Sequence, residues 1–405
     1  MPALPPGTSK RTATGTLRAL RVALVSEPFY PDVGGMPEHV HNLACQLARR
    51  GHDVTVVTTA YPAAPGLMPR QAPYRVVRLG RATSHIMSNG SQHHVAVGWR
   101  LRSQMQALLS SPAFDIVHVH GPIFPTLSLL AIQCAPAGSK LVGTLHTHFA
   151  ESAALRLLRR PLQRYLDALD GIITVHENAL RSLQRVGFRC PATRIENGVD
   201  LQAWAAGRPM AALRDGRFNI LVQARLEPRN HIATLLSAMV RLDASTRDRL
   251  RVVVIGDGPD RARLQKMAAG LHVDFVGAQL DRRVDYAQSC DAYYFSAAIA
   301  SHPMSLLEGM AAARPILAHD IDGVREIVTD GVEGFLLPLN DAAAMAQALR
   351  KLLGLSPAQR AAMAQAAHRR AEPFAWEHIA DRILAYYRAL LDGKDTTADA
   401  VTQTG

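Results

Sequence analysis

Short apolar runs alternate with amphipathic stretches along almost the whole chain. A strand predicted over 21–26 is followed by apolar residues at helical spacing and then by a second strand over 54–59. This order predicts a βαβ unit with parallel strands. The connecting loop is long and carries Gly34-Gly35 instead of a tight GxGxxG turn, which argues against an NAD-dependent oxidoreductase.

Ten further apolar runs, separated by helical patterns, continue this alternation. Strands are predicted over 76–79, 116–120, 140–146, 171–176, 219–226, 251–256, 274–277, 292–297, 315–321 and 334–338. Six strands in each half predict an α/β protein with two doubly wound parallel-sheet (Rossmann-like) domains. Ligands of such domains bind at the carboxyl ends of the strands, so we expect a cleft between the two domains.

The domain boundaries follow from where the alternation begins, pauses and ends. We expect a first domain over 18–205, a second over 206–375, and a last helix over 376–391 that packs back on the first domain. Residues 1–17 and 392–405 are expected to be disordered tails. No signal-peptide segment is recognisable, and no apolar run reaches the roughly 18 residues that a membrane-spanning helix needs.

Composition narrows the protein class. The chain has 405 residues, 48% of them hydrophobic, which is enough for two full cores. Its four cysteines lie far apart, so neither a disulfide framework nor a zinc site is indicated, and Cys45 and Cys134 fall in apolar helical patterns typical of buried thiols. A reducing cytoplasm is therefore the expected location.

The net charge of +11 lies mostly in the first half of the chain. Residues 18–200 hold 19 Lys and Arg against 11 Asp and Glu. Such a balance attracts nucleic acid, anionic lipid or phosphorylated substrates. Aromatic residues make up only 5% of the chain and no motif with stacking aromatics is present, so we do not expect a nucleic-acid partner.

Two basic amphipathic stretches, 99–109 and 155–166, are candidates for an acceptor site or for contact with an anionic membrane surface. The protein would then be peripheral, at the inner face of the membrane. The alternative is a solvated helix face. The arginines concerned are Arg100, Arg102, Arg159 and Arg160.

The stretch 296–323 carries the clearest candidate chemistry. A strand runs into a loop, the loop opens a short apolar helix that contains Glu308, and another strand follows. A helix that begins at the carboxyl end of a strand points unpaired backbone N–H groups into the crevice, where they bind anions. Glu308 is then either part of a ligand site or a solvated first-turn acid that favours the helix dipole.

Several motifs, in order, resemble the family 4 glycosyltransferases of the GT-B fold over roughly residues 18–391. They are the Gly34-Gly35 loop, DIVHVH at 115–120, LHTHF at 145–149, NGVD at 197–200, RLEPR at 225–229, GDGP at 256–259, and LEGMA at 307–311 followed by Pro315. The first half, including NGS at 89–91, is most similar to the phosphatidylinositol mannosyltransferase branch.

The resemblance implies a phosphate-binding role for Arg225, which ends the first strand of the second domain. Its guanidinium would bind the pyrophosphate and stabilise the charge on the leaving nucleotide, with Arg229 assisting. The alternative is a surface arginine in a turn. The family usually has Lys-Gly where this chain has Asn230-His231, so the second phosphate cation is either missing or supplied by Arg229.

The remaining donor contacts are also assigned by resemblance. Gly256 and Gly258 would let the backbone approach the nucleotide, although GDGP could be only a turn. Val276 would border the base, and Glu308, with Leu307 beside it, would accept hydrogen bonds from the ribose hydroxyls.

In the first domain, Gly34 and Gly35 would bring backbone N–H groups to the donor phosphate, with a mobile surface loop as the alternative. His146, at a strand end, would contact the donor sugar and the reacting centre. Other histidines lie nearby without an acidic or cysteine ligand, so we expect no metal site. They are His118, His120 and His148.

One departure from the family pattern concerns the donor-sugar loop. The family motif has another glutamate eight residues before Glu308, where this chain has Ala300. The usual Gly-Phe-Gly that follows is replaced by residues 301–304, and Pro303 removes a backbone donor. The departure leaves the sugar, and catalysis itself, open.

The resemblance implies a retaining, metal-independent transferase that moves a mannose- or glucose-type hexose from a nucleotide diphosphate sugar to a lipid or glycan hydroxyl. The donor would be a GDP- or UDP-sugar, and no cofactor is expected. Three alternatives remain: a degenerate GT-B protein that binds a nucleotide or partner without catalysis, a phosphorylase or epimerase of similar fold, and a nucleic-acid binder with salt-dependent affinity.

Overall fold

The computed structural model describes residues 18–32, 34–61, 72–86, 92–110, 113–146 and 153–394. Its first domain contains the following elements: β1 Arg21–Val25, α1 Gly35–Arg49, β2 Asp53–Thr59, β3 Arg75–Leu79, β4 Arg81–Ile86, β5 Gln92–Val97, α2 Leu101–Ser110, β6 Ile116–His120, α3 Leu127–Cys134, β7 Lys140–Leu145, α4 Ala153–Leu157, α5 Arg159–Asp167, β8 Gly171–Thr174, α6 Glu177–Arg185 and β9 Thr193–Arg194. Seven of the strands form a parallel sheet in the order β3-β2-β1-β6-β7-β8-β9.

The second domain repeats the architecture with a six-stranded parallel sheet. Its elements are α7 Leu201–Ala205, whose Trp204 joins the core of this domain, β10 Phe218–Gln223, α8 Ile232–Val240, α9 Ala244–Asp248, β11 Leu250–Ile255, α10 Arg261–Met267, β12 Val273–Gly277, α11 Arg283–Ser289, β13 Ala292–Phe295, α12 Met304–Ala311, β14 Ile316–His319, α13 Asp322–Arg325, β15 Gly334–Leu337, α14 Ala342–Gly354 and α15 Pro357–Ala371. The helix that follows, α16, covers Trp376–Leu391. The strand order is β12-β11-β10-β13-β14-β15.

Burial explains why these segments form parallel strands. In β1, the residues Val22 to Val25 are wholly inaccessible to solvent, and β6 and β13 are buried along their full length. Strands covered on both faces carry continuous apolar runs instead of alternating ones. Each large sheet accordingly separates two apolar clusters.

All twelve predicted strands are confirmed, and the α/β class with two doubly wound sheets is correct. The count of six strands in the first half is wrong, because β9 extends the sheet and β4 pairs with β5 in a separate antiparallel hairpin. The stretch 155–166 is two helices, α4 and α5, with Leu158 between them.

The last helix, α16, packs on the first domain. The chain crosses back where Val199 donates to the Phe374 carbonyl and Trp376 donates to the Val199 carbonyl. Beyond that point, Trp376, Ile379 and Tyr387 join the apolar cluster that contains α1 and β1.

The four cysteines are free thiols. Cys45, Cys190 and Cys290 are buried, but Cys134 is only partly buried, so its assignment as a buried thiol is wrong. Cys134 is the last residue of α3, where the helix leaves the core.

Candidate functional site

A cavity of about 570 Å³ lies between the two domains. In each sheet the strand order reverses beside the first strand of the domain, at β1 and β10, and the carboxyl ends of these strands face the cleft, where α/β folds bind ligands. Most of the predicted donor-site residues line this cavity: Gly34, Gly35, Arg225, Arg229, Gly256, Gly258 and Glu308.

Arg225 and Arg229 are held by a shared carboxylate. Arg225 Nε lies 3.3 Å from Glu227 Oε1, and Arg229 Nε lies 2.6 Å from Glu227 Oε2. Asp32 of the first domain also reaches Arg225, at 3.7 Å. Glu227 is 5% exposed, so its carboxylate is a fixed support that orients both guanidinium groups at the cavity wall. Glu227 lies within the RLEPR motif at 225–229, but no role was predicted for it from the sequence.

Asn230 occupies the position where the resemblance leads one to expect lysine. Its side-chain Nδ2 donates to the Arg225 carbonyl at 2.7 Å, and the residue is 8% exposed. Asn230 therefore supports the loop that carries Arg225 instead of offering a cation to a phosphate.

Gly256 and Gly258 are required by the close approach of two loops. Gly256 has φ of +134°, and a Cβ there would lie 1.9 Å from the Ala224 carbonyl oxygen. A Cβ at Gly258 would lie 2.4 Å from the Leu226 carbonyl oxygen. Both contacts are with the backbone on either side of Arg225, so these glycines fix the position of the Arg225 loop.

We expect Gly256→Ala to lower the free energy of unfolding by about 1–3 kcal/mol beyond the cost of positive φ alone, because the backbone must shift to relieve the overlap. The control is Gly270→Ala, since Gly270 has φ of +78° and nothing within 4 Å of a Cβ. The losses are measured by urea denaturation of both variants, and their difference gives the free-energy cost of the overlap at Gly256. Equal losses would contradict the role of Gly256 in holding the Arg225 loop.

Glu308 is a buried acid. It is the fifth residue of α12 and 4% exposed, so the alternative of a solvated first-turn residue is wrong. Its Oε2 accepts from Gln223 Nε2 at 2.7 Å, and its Oε1 lies 3.3 Å from Arg283. Burial raises the pKa of Glu308 to about 7, against the opposing effect of the adjacent Arg283 guanidinium.

Leu307 and Val276 lie outside the cavity lining. The Leu307 side chain is wholly buried in the core of the second domain. Val276 lines a separate pocket beside β12, although its carbonyl accepts from Gln279, which does line the cavity. Donor contacts by these two residues would have to come from the backbone, and they remain predictions.

Among the charged residues of the cavity wall, Asp32, Glu38 and Arg283 were not predicted from the sequence. Burial alone would raise the pKa of Glu38, but the adjacent Arg283 guanidinium lowers it below its usual value. Tyr30 donates its hydroxyl to the same carboxylate. Glu38 follows the Gly34-Gly35 motif closely enough to have been flagged, whereas Arg283 stands in no recognisable motif.

His146 follows β7 and lies outside the cavity lining, where it is partly buried beside the fully buried imidazoles of His39 and His120. Its Nε2 is 2.9 Å from His120 Nδ1, and its ring packs against that of His39 of α1 at 4.6 Å. Burial lowers the pKa of His39 to about 4, and those of His120 and His146 well below the usual value. These imidazoles are therefore neutral at physiological pH. His148 falls outside the described residues.

Three of these rings could be considered as metal ligands. One nitrogen each of His39, His120 and His146 lies within 4.8 Å of the others, and among the described residues no carboxylate or thiol joins them. Tetrahedral zinc would hold its nitrogens about 3.3 Å apart. The 2.9 Å between His120 Nδ1 and His146 Nε2 is a hydrogen-bond distance, so these two nitrogens are bonded to each other in this arrangement.

The basic residues of the first domain have different surroundings. Arg100 precedes α2 and Arg102 lies in it, and both are exposed. Arg159 is tied to the Gly187 carbonyl at 3.0 Å, whereas Arg160 is exposed. Arg102 contacts Gln133 of α3 at 3.2 Å, and Gln133 in turn donates to Tyr165 of α5, so α2 and α5 flank the same helix.

Large apolar side chains are exposed next to these arginines. Trp99 is fully exposed, Leu157 is 81% exposed and Leu158 is 49% exposed. Apolar and basic side chains therefore stand together on this part of the surface. Among the described residues, no helix combines the length and the hydrophobicity that crossing a membrane requires.

Comparison with solved structures identifies the fold. A structure described as Anabaena Alr3699/HepE in complex with UDP and glucose superposes with a TM-score of 0.73 at 16% identity, covering 91% of this chain and all of that one. A sucrose-phosphate synthase from Thermosynechococcus elongatus gives 0.72 at 19% identity, with 93% of this chain and all of that chain covered.

Sequence comparison identifies the family. The family described as "Glycosyltransferase Family 4" matches residues 33–203, and that described as "Glycosyl transferases group 1" matches residues 208–370. A phosphatidyl-myo-inositol mannosyltransferase of Mycolicibacterium smegmatis is 30% identical over 376 residues, 92% of this chain and 94% of the relative. A GDP-mannose-dependent alpha-mannosyltransferase of Mycobacterium tuberculosis is 27% identical, with 94% and 99% covered. With both halves matched in order and a relative aligned over nearly its full length, the chain belongs to the family 4 glycosyltransferases of the GT-B fold.

Proposed function

We propose that this glycosyltransferase moves a mannose- or glucose-type hexose from a GDP- or UDP-sugar to a lipid or glycan hydroxyl, with retention at the anomeric carbon and without a metal ion. The observation that carries the proposal is the interdomain cavity, in which Arg225, the Gly256 loop and Glu308 lie at adjacent strand ends. These groups complement a diphosphate and a ribose. The similarity to mannosyltransferases favours mannose.

The chemistry that we propose needs few protein groups. Arg225 stabilises the negative charge that develops on the leaving diphosphate, and the backbone of Gly34 and Gly35 approaches it from the other domain. The departing phosphate oxygen takes the proton of the acceptor hydroxyl, so no carboxylate base is required. His146 is neutral and can serve as a hydrogen-bond partner for the sugar once the cleft closes.

A second candidate is a degenerate protein that binds a nucleotide without transferring sugar. Two observations favour it: Ala300, where the family has glutamate, lines the cavity, and Asn230 supports the backbone instead of reaching a phosphate. Installing the family residue by Ala300→Glu distinguishes the candidates. If Ala300→Glu transferred sugar and the wild type did not, the result would support a wild-type protein that has lost catalysis.

The decisive experiment offers a panel of GDP- and UDP-sugars with candidate acceptors, with and without EDTA, and follows nucleotide release. We expect release from one donor at a rate that EDTA does not change. An anomeric analysis of the product tests retention. Binding without release would favour the degenerate protein. Release abolished by EDTA and restored by a divalent ion would overturn metal independence, and no binding of any nucleotide would overturn the whole proposal.

We further propose that the first domain contacts an anionic lipid surface at the inner face of the membrane through α2, α5 and the exposed Trp99. Each basic residue near such a surface contributes about 1 kcal/mol. We expect Arg102→Glu with Arg160→Glu to lower binding to vesicles containing an anionic phospholipid by at least about tenfold in a sedimentation assay. Arg249→Glu, at an exposed arginine of the second domain, is the control. If Arg249→Glu lowered vesicle binding as much as the double substitution, binding would reflect unspecific attraction between the positively charged protein and the vesicles.

A further inference from the structure

One buried arginine joins the two domains at the wall of the cavity. Arg283 begins α11 of the second domain, and its guanidinium lies 2.7 Å from Glu38 Oε2 in α1 of the first domain. The same guanidinium lies 3.3 Å from Glu308 Oε1 in α12. The side chains of Glu38 and Glu308 are each 5% exposed, and that of Arg283 is 17% exposed. Two carboxylates, one from each domain, therefore share one cation.

Each carboxylate also has a hydrogen-bond donor within its own domain. Tyr30 donates to Glu38 Oε1, and Gln223 donates to Glu308 Oε2. The Arg283 guanidinium is further placed over the ring of Trp204, 5.4 Å from its centroid. The partners on both sides of the cleft are thus oriented before they meet, which reduces the entropy lost when the ion pair forms.

Burial makes the contact between Glu38 and Arg283 sensitive to domain position. A buried charge that loses its partner is strongly unfavourable, whereas both groups regain water if the domains separate. The pair is therefore stable in two arrangements, closed and paired or open and solvated. Partly separated domains, with one charge buried and unpaired, are disfavoured.

Glu38 is also connected to the predicted phosphate contact. It lies in the first turn of α1, three residues after Gly35, which begins the same helix. Because a helical turn is rigid, fixing Glu38 against Arg283 also fixes Gly34 and Gly35 at the cavity wall.

We propose that Arg283 is a positioning residue that couples the ribose site at Glu308 to closure of the cleft through Glu38. The inference rests on the proposed function, because it takes Glu308 as the acceptor of the ribose hydroxyls. A nucleotide sugar bound to the second domain orders Glu308 and the guanidinium beside it. Glu38 then docks on that guanidinium and brings the Gly34-Gly35 loop against the diphosphate. Closure excludes water from the reacting centre.

The test is Glu38→Ala, examined in three ways. Calorimetry with UDP and GDP should show a smaller loss of affinity than of turnover, because Arg225, the Gly256 loop and Glu308 of the second domain still bind the nucleotide and only the contact of Gly34-Gly35 with the diphosphate depends on Glu38. The value of kcat/KM for the sugar donor should fall about 5- to 150-fold, the range of a typical coupling between sites. Small-angle scattering with the bound nucleotide should give a larger radius of gyration than the wild type, which a merely structural role would not produce.

Glu38→Gln is the second variant. The amide keeps one acceptor oxygen for Arg283, and its NH2 can donate to the Tyr30 hydroxyl oxygen, but the charge is removed, so we expect values between those of the wild type and Glu38→Ala. This variant keeps the proposal testable should Glu38→Ala fail to fold.

The matched control is Arg194→Ala. Arg194 pairs with Glu326 across the same two domains at 2.7 Å, but the two side chains are 39% and 38% exposed. An exposed ion pair is screened by solvent and contributes little, so scattering and turnover should stay at wild-type values.

Two results would overturn the inference. One is wild-type turnover and scattering in both Glu38 variants. The other is a loss of nucleotide affinity as large as the loss of turnover, which would place Glu38 in the binding site itself. A wild-type protein that binds no nucleotide would instead overturn the proposed function, so the two failures are distinguishable.

Discussion

Replacing Arg225 with alanine is expected to lower kcat/KM for the sugar donor by about 10²–10³-fold, since removing one preorganised donor to a developing negative charge costs about 2.7–4 kcal/mol. The arginine is supported by Glu227 at 3.3 Å and by Asp32 at 3.7 Å, so its orientation is set before the donor binds. Steady-state release of nucleotide measures the loss. We expect most of it in kcat, because the charge on the diphosphate grows as the sugar leaves.

Arg229→Ala is the matched control for this prediction. Arg229 pairs with the same Glu227 but is 42% exposed, so we expect a loss of only about tenfold, as for one charge-assisted hydrogen bond. Identical losses in the two variants would mean that neither arginine has a privileged position at the diphosphate. Wild-type kcat/KM in Arg225→Ala would show that the diphosphate lies elsewhere. Circular dichroism of both variants checks that the fold is retained.

Most of the strands were predictable because they are short apolar runs with largely buried side chains. A parallel sheet covered on both faces favours apolar side chains, and Val22 to Val25 of β1 and all of β13 meet that need, whereas β6 alternates apolar residues with buried histidines. The hairpin of β4 and β5 has no such run, and β9 has only two residues, Thr193 and Arg194. Their pairing depends on neighbours distant in sequence, which a local pattern cannot show.

The residues of the cavity wall also fall into two groups, those whose proximity the sequence predicts and those whose proximity it does not. Arg225, Gly256 and Glu308 follow strand ends, and strand ends of one sheet meet at one edge, so their proximity was predictable. The contact of Glu38 with Arg283 joins residues 245 positions apart on two domains. Their juxtaposition depends on the angle between the domains, which no periodicity in either half specifies. The placement of His146 beside His39 depends on α1 crossing the sheet, and it could not be inferred for the same reason.

Side-chain direction was the other unpredictable quantity. Leu307 and Glu308 are adjacent in α12, yet one enters the core and the other reaches the cavity. Successive helical residues differ by about 100° in direction, so a motif that spans both residues says little about which one faces a ligand.

Trp376→Ala is expected to have the largest effect on stability, a loss of about 3–5 kcal/mol in the free energy of unfolding. The indole is 1% exposed and packs against the His39 ring at 5.1 Å. A Cβ on Gly198 would lie 2.5 Å from this indole, so the neighbouring backbone already touches the ring and offers no side chain that could fill the space. Hydrogen exchange of the amides of β1 and α1, read by mass spectrometry, measures the loss within the first domain.

The position of α16 makes that readout informative. The helix follows the second domain in sequence, but its apolar residues belong to the cluster around α1 and β1. Loss of Trp376 should therefore accelerate exchange in the first domain more than in β10 to β15. Leu391→Ala, at the 37% exposed end of the same helix, is the control, with an expected cost below about 1 kcal/mol. If Trp376→Ala changed exchange only in the second sheet, α16 would not be part of the first domain's core. The closing motion would then have to carry the helix with the second domain, against the apolar contacts that tie it to α1.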